Sequence, residues 1–358
     1  MIARLGRDEL LALVERRAAA LDLADNPFAT AAWVSNYLRH VARDDGLYWA
    51  ADIDGRALML LQGEAAAPGR ARALTNYYAS LYSPFVGEVH EDDALRLARA
   101  LGEARPALDS IELAPMAQDD ADRVETAFRV AGWPTRRYSA FGNWHLPCEN
   151  LGFDDYMAAR PSQTLNTWAR KARRFQADGQ TRLQLVTEPA EVAAAMRAYE
   201  AVYARSWKRA EPYPGFVPGW AALCAERGWL RLGIAWSGST PIAAQLWFTI
   251  RRRASIFKLA YDQAFARLSA GTVLSAFMFR HALEVDRVVD IDYLTGDDTY
   301  KRAWMTQRRE RVGIVACNPR TVRGALRAAY EWAGATRQRM RTRSARAGEP
   351  ALSEPAAS

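Results

Sequence analysis

The period of apolar positions changes repeatedly along the chain, and the changes predict an alternating order of helices and strands. The opening MIARLGRDELLALVERRAAALDL sets acids and bases among spaced leucines, which predicts an amphipathic helix. LYWAADIDGRALMLLQGE reads as two strands about the turn Asp54-Gly55, a strong hairpin signal. RALTNYYASLYSPFVG continues as an aromatic-rich strand or loop. EDDALRLARALGEAR has helical spacing, SIELAPM reads as a strand, ADRVETAFRVAGW as a helix closed by Gly132, and RRYSAFGNWHL as extended.

From Gly152 a second pattern runs. TLNTWARKARRFQADG and AEVAAAMRAYEAVYARSWKR predict helices on either side of the strand TRLQLVTE. A Pro/Gly-rich loop, the short helix GWAALCAERGW and three strands follow: LRLGIAWS, PIAAQLWFTI and ASIFKLAYD. QAFARLSAGTVLSAFMFRHALE then reads as a loop entering a helix, and VVDIDYL as a strand. This order repeats the first half in simpler form, so the sequence indicates a duplicated α/β unit without clear identity between halves. The expected fold class is α/β, of the α+β type with a mixed sheet. Residues 1–150 and 151–333 form the two units, and residues 334–358 form a basic, disordered tail.

At 358 residues, 50% hydrophobic and 25% charged, the chain is long enough for two cores. The formal net charge of +7 owes much to Arg337, Arg339, Arg341, Arg343 and Arg346. Such a tail suits a solvated end, and it leaves open a peripheral contact with an acidic membrane surface at the inner face. A nucleic-acid partner is disfavoured, because RKARR at Arg170 to Arg174 is only a short basic helix face. Cys148, Cys224 and Cys317 are far apart and odd in number, which argues against a disulfide framework or a metal site. The opening segment is unlike a signal peptide, so the expected location is cytoplasmic. Gly233 to Ile250 lacks charge over nearly a bilayer's length, but SGSTP breaks it, and two strands joined by a tight turn fit better. The sequence does not set the oligomeric state.

YDQAFARLSAGTVL carries the clearest local chemistry: a strand runs through small residues into a helix start, whose unpaired amides and dipole suit a pyrophosphate. Leu268, Ser269, Ala270 and Gly271 would let the backbone approach the phosphates, Thr272 would cap the helix or touch an oxygen, and Arg267 would add charge. An ordinary capped strand-to-helix connection accounts for the segment equally well. Walker and Rossmann glycine patterns are missing here, which disfavours ATP and NAD. YLTGDDTYKRAW, Tyr293 to Trp304, sets two adjacent carboxylates against a tyrosine and a lysine after a short strand.

The strand SIFKLAYD, the loop ARLSAGT, its helix, the strand VVDIDYL and the segment GDDTYKRAW together resemble the GNAT acyltransferase superfamily. More narrowly they resemble its CelD-type, Fem-like branch, whose members fuse two GNAT-like units. Gly296, Asp297, Asp298, Thr299, Tyr300 and Lys301 match the branch's Gly-Asp-x-x-Tyr-Lys sequence in full, whereas the loop carries a single glycine, Gly271. The resemblance covers roughly Phe153 to Pro319 well and the first half in outline.

The resemblance implies transfer of an acyl group from a CoA-type thioester to an amine, with no permanently bound cofactor and no metal. The donor would lie between two splayed strands of the C-terminal unit. Asp262 and Asp297 are the candidate proton acceptors, and Tyr261 and Tyr300 the candidate donors to the leaving sulfur. Lys301 would hold a phosphate or pair with Asp297. For Asp262, a loop cap is an equal account. Trp207 and Lys208 would pack the substrate side, with a plain core position an equal account of Trp207, and Gln245 either faces the cleft or lies outward on its strand. Tyr78 and Tyr82, with Tyr77 and Phe85, either fill the first unit's core or bind an apolar acceptor across the cleft. His281 and His145 read as packed histidines rather than bases. A small-molecule or lipid amine of cell-envelope lipid or polysaccharide metabolism is the expected acceptor, a sphingoid-base-like amine being one form. The alternatives are a Fem-type transferase using aminoacyl-tRNA and a non-catalytic binding protein of the same fold.

Overall fold

The chain opens on a strand rather than a helix. In the computed structural model, which describes residues 2–347 without the side chains of 163, 164, 167 and 335–347, Ile2–Leu5 forms β1. The predicted helix follows as Arg7–Arg16, where Glu9 reaches back to accept from the Gly6 amide at 2.8 Å. The remaining strands are β2 (Tyr48–Ile53), β3 (Ala57–Glu64), β4 (Ala67–Ala73), β5 (Val86–Gly87), β6 (Ser110–Met116) and β7 (Thr135–Pro147). In the second half they are β8 (Thr181–Val186), β9 (Leu230–Ser237), β10 (Thr240–Ile250), β11 (Arg253–Tyr261), β12 (Asp290–Asp292) and β13 (Gln307–Cys317). The hairpin at Asp54-Gly55 joins β2 to β3, with φ of 51° and 72° at the two turn residues. The uncharged stretch 233–250 folds as the β9–β10 hairpin, and no helix among the described residues is long and apolar enough to cross a membrane.

Among the described residues thirteen strands join one sheet in the order β1-β2-β3-β4-β6-β13-β7-β12-β11-β10-β9-β8, with β5 beside β3. From either edge the order is the same: four antiparallel strands, then one parallel pair, β4 with β6 or β11 with β12. The sheet is thus a duplicated unit with a crossing at its centre. Each half gives its last strand to the other: β13 pairs with β6 of the first half, and β7 pairs with β12 of the second. The two exchanged strands also pair with each other over the longest register in the sheet, from Gln307 opposite His145 to Ala316 opposite Thr135. The exchange was not legible in the periodicity, which marks strands but not their partners.

Where the parallel strands part, the sheet opens. β11 pairs with β12 only through Arg253, Ala254 and Ser255, so its outer edge from Ile256 to Tyr261 has no strand partner. Beyond Asp292 the chain follows β7 instead, and the Tyr293 amide donates to the Trp144 carbonyl at 2.9 Å. A buried polar knot fixes this departure. Asn143 donates to Asp292 at 2.6 Å and to the Leu294 carbonyl at 2.9 Å, while its own carbonyl accepts from Arg309 at 2.6 Å and Arg311 at 3.2 Å. Such a buried network holds the following segment in one position, although the Arg311 Nε is left without a partner among the described residues.

Two further expectations need correction. The helix Pro189–Ala204 ends before SWKR, because Ser206 turns back to bond the Tyr203 carbonyl at 2.7 Å and accepts from the Lys208 amide at 3.3 Å. The segment expected to be a disordered tail from residue 334 is helical to Ala347, as part of a helix starting at Val322; residues 348–358 lie outside the described residues. All three cysteines are free and buried.

Candidate active site

The strand end Tyr261 leads through the turn Gln263–Leu268 to the helix Ala270–Arg280. Ser269 stands at the helix start in the left-handed region, with φ 53° and ψ 33°, a strained setting for a residue with a side chain. Its side chain makes no cap, so the first helix amides face a cavity of about 290 Å³ lined by Ser269, Ala270, Gly271 and Thr272. No carboxylate lies in this helix's first turn. In the first unit, by contrast, the helix Asp93–Gly102 begins with a buried Asp93 held by Arg56 at 3.0 Å, so a carboxylate already occupies that helix start. Of these two helix starts, the second unit's is the one open to an anion.

Gln245, buried at 2% exposure, faces inward rather than out. It donates to the Gly271 carbonyl at 3.2 Å and to Ser275 at 2.8 Å, tying β10 to the helix start. Lys171, from the short basic helix face at Arg170 to Arg174, reaches Thr272 at 3.3 Å and adds a cation to the cavity wall. Arg267 and Leu268 do not line the cavity: Arg267 faces solvent and Leu268 is buried in the core.

A second cavity, of about 320 Å³, opens on the other side of the splayed strands and shares the walls Leu259, Tyr293 and Tyr300 with the first. Tyr77, Tyr78, Lys208, Lys258, Asp298 and Lys301 line it. Tyr78 stacks on Phe216 with ring centres 4.3 Å apart, bringing the first unit's aromatic loop to the second unit's cleft. Tyr82 does not follow it. Its ring is buried and its hydroxyl donates to the Leu60 carbonyl at 2.9 Å, a core position. Trp207 lines neither cavity; it is half exposed, its ring centre 4.7 Å from that of Tyr261.

Charges in this cavity are paired unequally. Lys258 bonds Glu211 at 2.7 Å, and the second Glu211 oxygen accepts from the Tyr78 hydroxyl at 2.8 Å. Burial alone would raise Glu211, but Lys258 and Tyr78 hold it below the usual carboxylate range. Lys301, 3% exposed, donates to the carbonyls of Thr295 at 2.5 Å and Gly296 at 3.1 Å and lies 3.4 Å from Asp298. Burial lowers Lys301 despite that carboxylate. Lys208 makes no ion pair among the described residues; burial, then the Lys258 ammonium, push it from 10.5 down to about 8.

The two carboxylates proposed as bases are occupied. Asp262 caps the turn after β11, accepting from the Ala264 amide at 3.0 Å and from Arg205 at 2.5 Å. Asp297 does not pair with Lys301. It accepts from the Trp144 indole at 2.6 Å and from Arg308 at 2.8 Å, and Arg308 first, then Trp144, holds it below its ordinary value. Tyr300 faces both cavities, and burial, then Asp298, push its phenol up to about 12. Tyr261 lines the first cavity only. Lys258, Glu211 and Lys171 were missed, although composition carried a signal. Of the 48 lysines and arginines only four are lysines, and Lys171, Lys208, Lys258 and Lys301 all line these two cavities.

Residues 162–302, which contain the cleft, match the family described as acetyltransferase (GNAT) domain. This segment therefore resembles a GNAT domain. In solved structures a likeness of fold extends over both halves. FemX aligns with a TM-score of 0.58 at 10% identity, covering 90% of this chain and 100% of its own. The L-PGS structure from Bacillus licheniformis gives 0.54 at 10%, covering 89% and 95%. The C-terminal domain (DUF2156) of a protein described as a lysylphosphatidylglycerol synthetase from Agrobacterium fabrum gives 0.57 at 13%, covering 89% and 96%. At these identities the likeness is one of fold. No curated protein matches the sequence. The mixed α/β sheet and the duplicated strand order expected from the sequence are observed, and the GNAT match falls on the second half.

Proposed function

We propose that the protein is an N-acyltransferase that moves an acyl group from an acyl-CoA thioester to an amine. One observation carries the reading: a cavity at an open helix start and a lysine-lined cavity meet at Tyr300 across the splayed β11 and β12. The first suits the donor, its pyrophosphate at the amides of Ala270 and Gly271 beside Lys171. The second suits the acceptor.

The reaction requires little of the protein beyond positioning and proton handling. The acceptor nitrogen attacks the thioester carbon, the C–N bond forms, and the C–S bond breaks. An excess of ammonium groups in the acceptor cavity lowers the pKa of a bound amine and so favours the neutral, attacking form. Tyr300, protonated at neutral pH, gives its proton to the departing thiolate. The proton lost by the amine returns to Tyr300 through water, leaving amide and free CoA. Asp297, Arg308 and Lys301 hold the loop that carries Tyr300.

Cell-envelope lipid or polysaccharide metabolism remains a setting for such an enzyme. A long-chain base bearing only a positive charge fits this lysine-lined cavity poorly, so a sphingoid-base-like amine is not the acceptor we favour. Transfer from aminoacyl-tRNA is a second reading, supported by the fold shared with FemX and with L-PGS, and it would use the same cleft. Free thiol release from acetyl-CoA and longer acyl-CoAs, measured over a panel of amines, tests the reading. Amine-dependent thiol release is expected; transfer from aminoacyl-tRNA with none from any acyl-CoA would favour the second reading.

A further inference from the structure

The four lysines of this arginine-rich chain converge on the cleft, and three of them line the acceptor cavity. Their distribution needs a reason. Arginine supplies the cations nearly everywhere else on the molecule, as in the pairs Arg56–Asp93, Arg231–Asp286 and Arg309–Asp292. An ammonium is a compact point charge whose proton affinity moves with its surroundings, which a guanidinium's does not.

Two of the three ammonium groups are used by the fold. Lys258 is neutralised by Glu211 at 2.7 Å and lies 4.6 Å from the Tyr78 ring centre. Lys301 is consumed by Asp298 and by loop carbonyls. With Glu211 and Asp298 as the carboxylates, three positive charges face two negative ones, and Lys208 is the one left over. It stands 5.8 Å from the Trp207 ring centre and 6.0 Å from that of Tyr203, and no described residue accepts from its ammonium. An unpaired, partly desolvated cation at a cavity wall is costly unless a ligand completes it. Beyond Tyr77 a groove of about 870 Å³ is lined by Arg4, Arg43 and Arg72 together with Asp45 and Glu64, which leaves positive charge in slight excess there.

We propose that the acceptor amine also carries an anionic group, a carboxylate or a phosphate, that seats on the Lys208 ammonium between Tyr77, Lys258 and Lys301. The proposal rests on the acyl-transfer reading of the cleft and names the class of its acceptor. Lys208 binds the anion, the Lys258–Glu211 pair shapes the floor, and the aromatic rings of Tyr77 and Tyr78 flank the ligand's uncharged part.

With four lysines, protein labelled with ¹³C at lysine Cε gives four side-chain signals, assigned by single substitution. The intact chain is titrated at constant ionic strength with inorganic phosphate, with acetate and with methylammonium, and separately with acetyl-CoA. The expected result is a saturable shift of the Lys208 signal with phosphate or acetate and a rise in its pKa. Methylammonium should leave the signal in place, and Lys208→Arg should retain anion binding, as read from the Lys258 signal, with about tenfold loss in Lys208→Met. The stronger of the two anions identifies the acceptor's charged group. A Lys208 signal that no anion moves, in protein that still binds acetyl-CoA, overturns the anionic acceptor and leaves acyl transfer standing. Failure to bind any acyl-CoA would instead count against the transfer reading itself.

Discussion

The Asp297 carboxylate is held by Arg308 at 2.8 Å and by the Trp144 indole at 2.6 Å, on strands that cross between the two halves. The most conspicuous acid in the matched GDDTYK segment is therefore a tether. It fixes the Tyr300 loop to the exchanged strands β7 and β13, and its lowered pKa reflects Arg308 more than any catalytic duty.

Asp297→Asn should reduce kcat/KM by on the order of tenfold, below the ~10²–10⁴ expected for loss of a general base. Arg308→Gln should cost a similar amount, and the double variant no more than either alone, because both remove one contact. The pH profile separates the roles. A positioning carboxylate leaves the acidic limb in place, whereas a base would take the limb with it.

Lys301 matters more than Asp297 to the segment's geometry, since its buried ammonium donates to the carbonyls of Thr295 and Gly296. Lys301→Met should destabilise the chain by about 1–3 kcal/mol, the usual cost of unmade buried hydrogen bonds. Denaturant unfolding measures it. Because the loop also carries Tyr300, turnover should fall further than stability alone explains.

Lys208 gives a stability signature of unusual sign. It binds its proton more weakly in the folded chain, at about 8, than in the unfolded chain near 10.5. Between those values the unfolded state holds more protons, so this group makes stability rise with pH there, and the penalty is full below about 8. Lys208→Met should accordingly raise the melting temperature at pH 7, with the gain shrinking as pH climbs through this window. An equal gain at all pH values would point to packing instead.

Much of this was legible from the residues. Strands around Asp54-Gly55 and the β9–β11 meander followed from alternation and turn chemistry, and the helix start after Tyr261 from its small residues. The exchange of β7 and β13 was not, because pairing partners are set by long-range packing that periodicity does not encode. Tyr78 and Tyr82 looked alike as neighbours in one aromatic run, yet one stacks in the cleft and the other is core. Glu211 and Lys258 come together from a loop and a strand 47 residues apart, so no local pattern could announce them. The rarity of lysine was the one global signal that pointed to the cleft.

The donor site can be closed with one atom group. A Cβ at Gly271 would meet the Tyr261 ring at 3.4 Å, and a valine there would narrow the cavity at the helix start, at a residue that does not line the acceptor cavity. Isothermal titration of acetyl-CoA and a long-chain acyl-CoA into wild type and Gly271→Val tests the central claim most directly. Wild type should bind one acyl-CoA per chain, and the folded variant should bind at least about tenfold more weakly. Absence of acyl-CoA binding to wild type, or equal binding to both proteins, would contradict a thioester donor at this helix start.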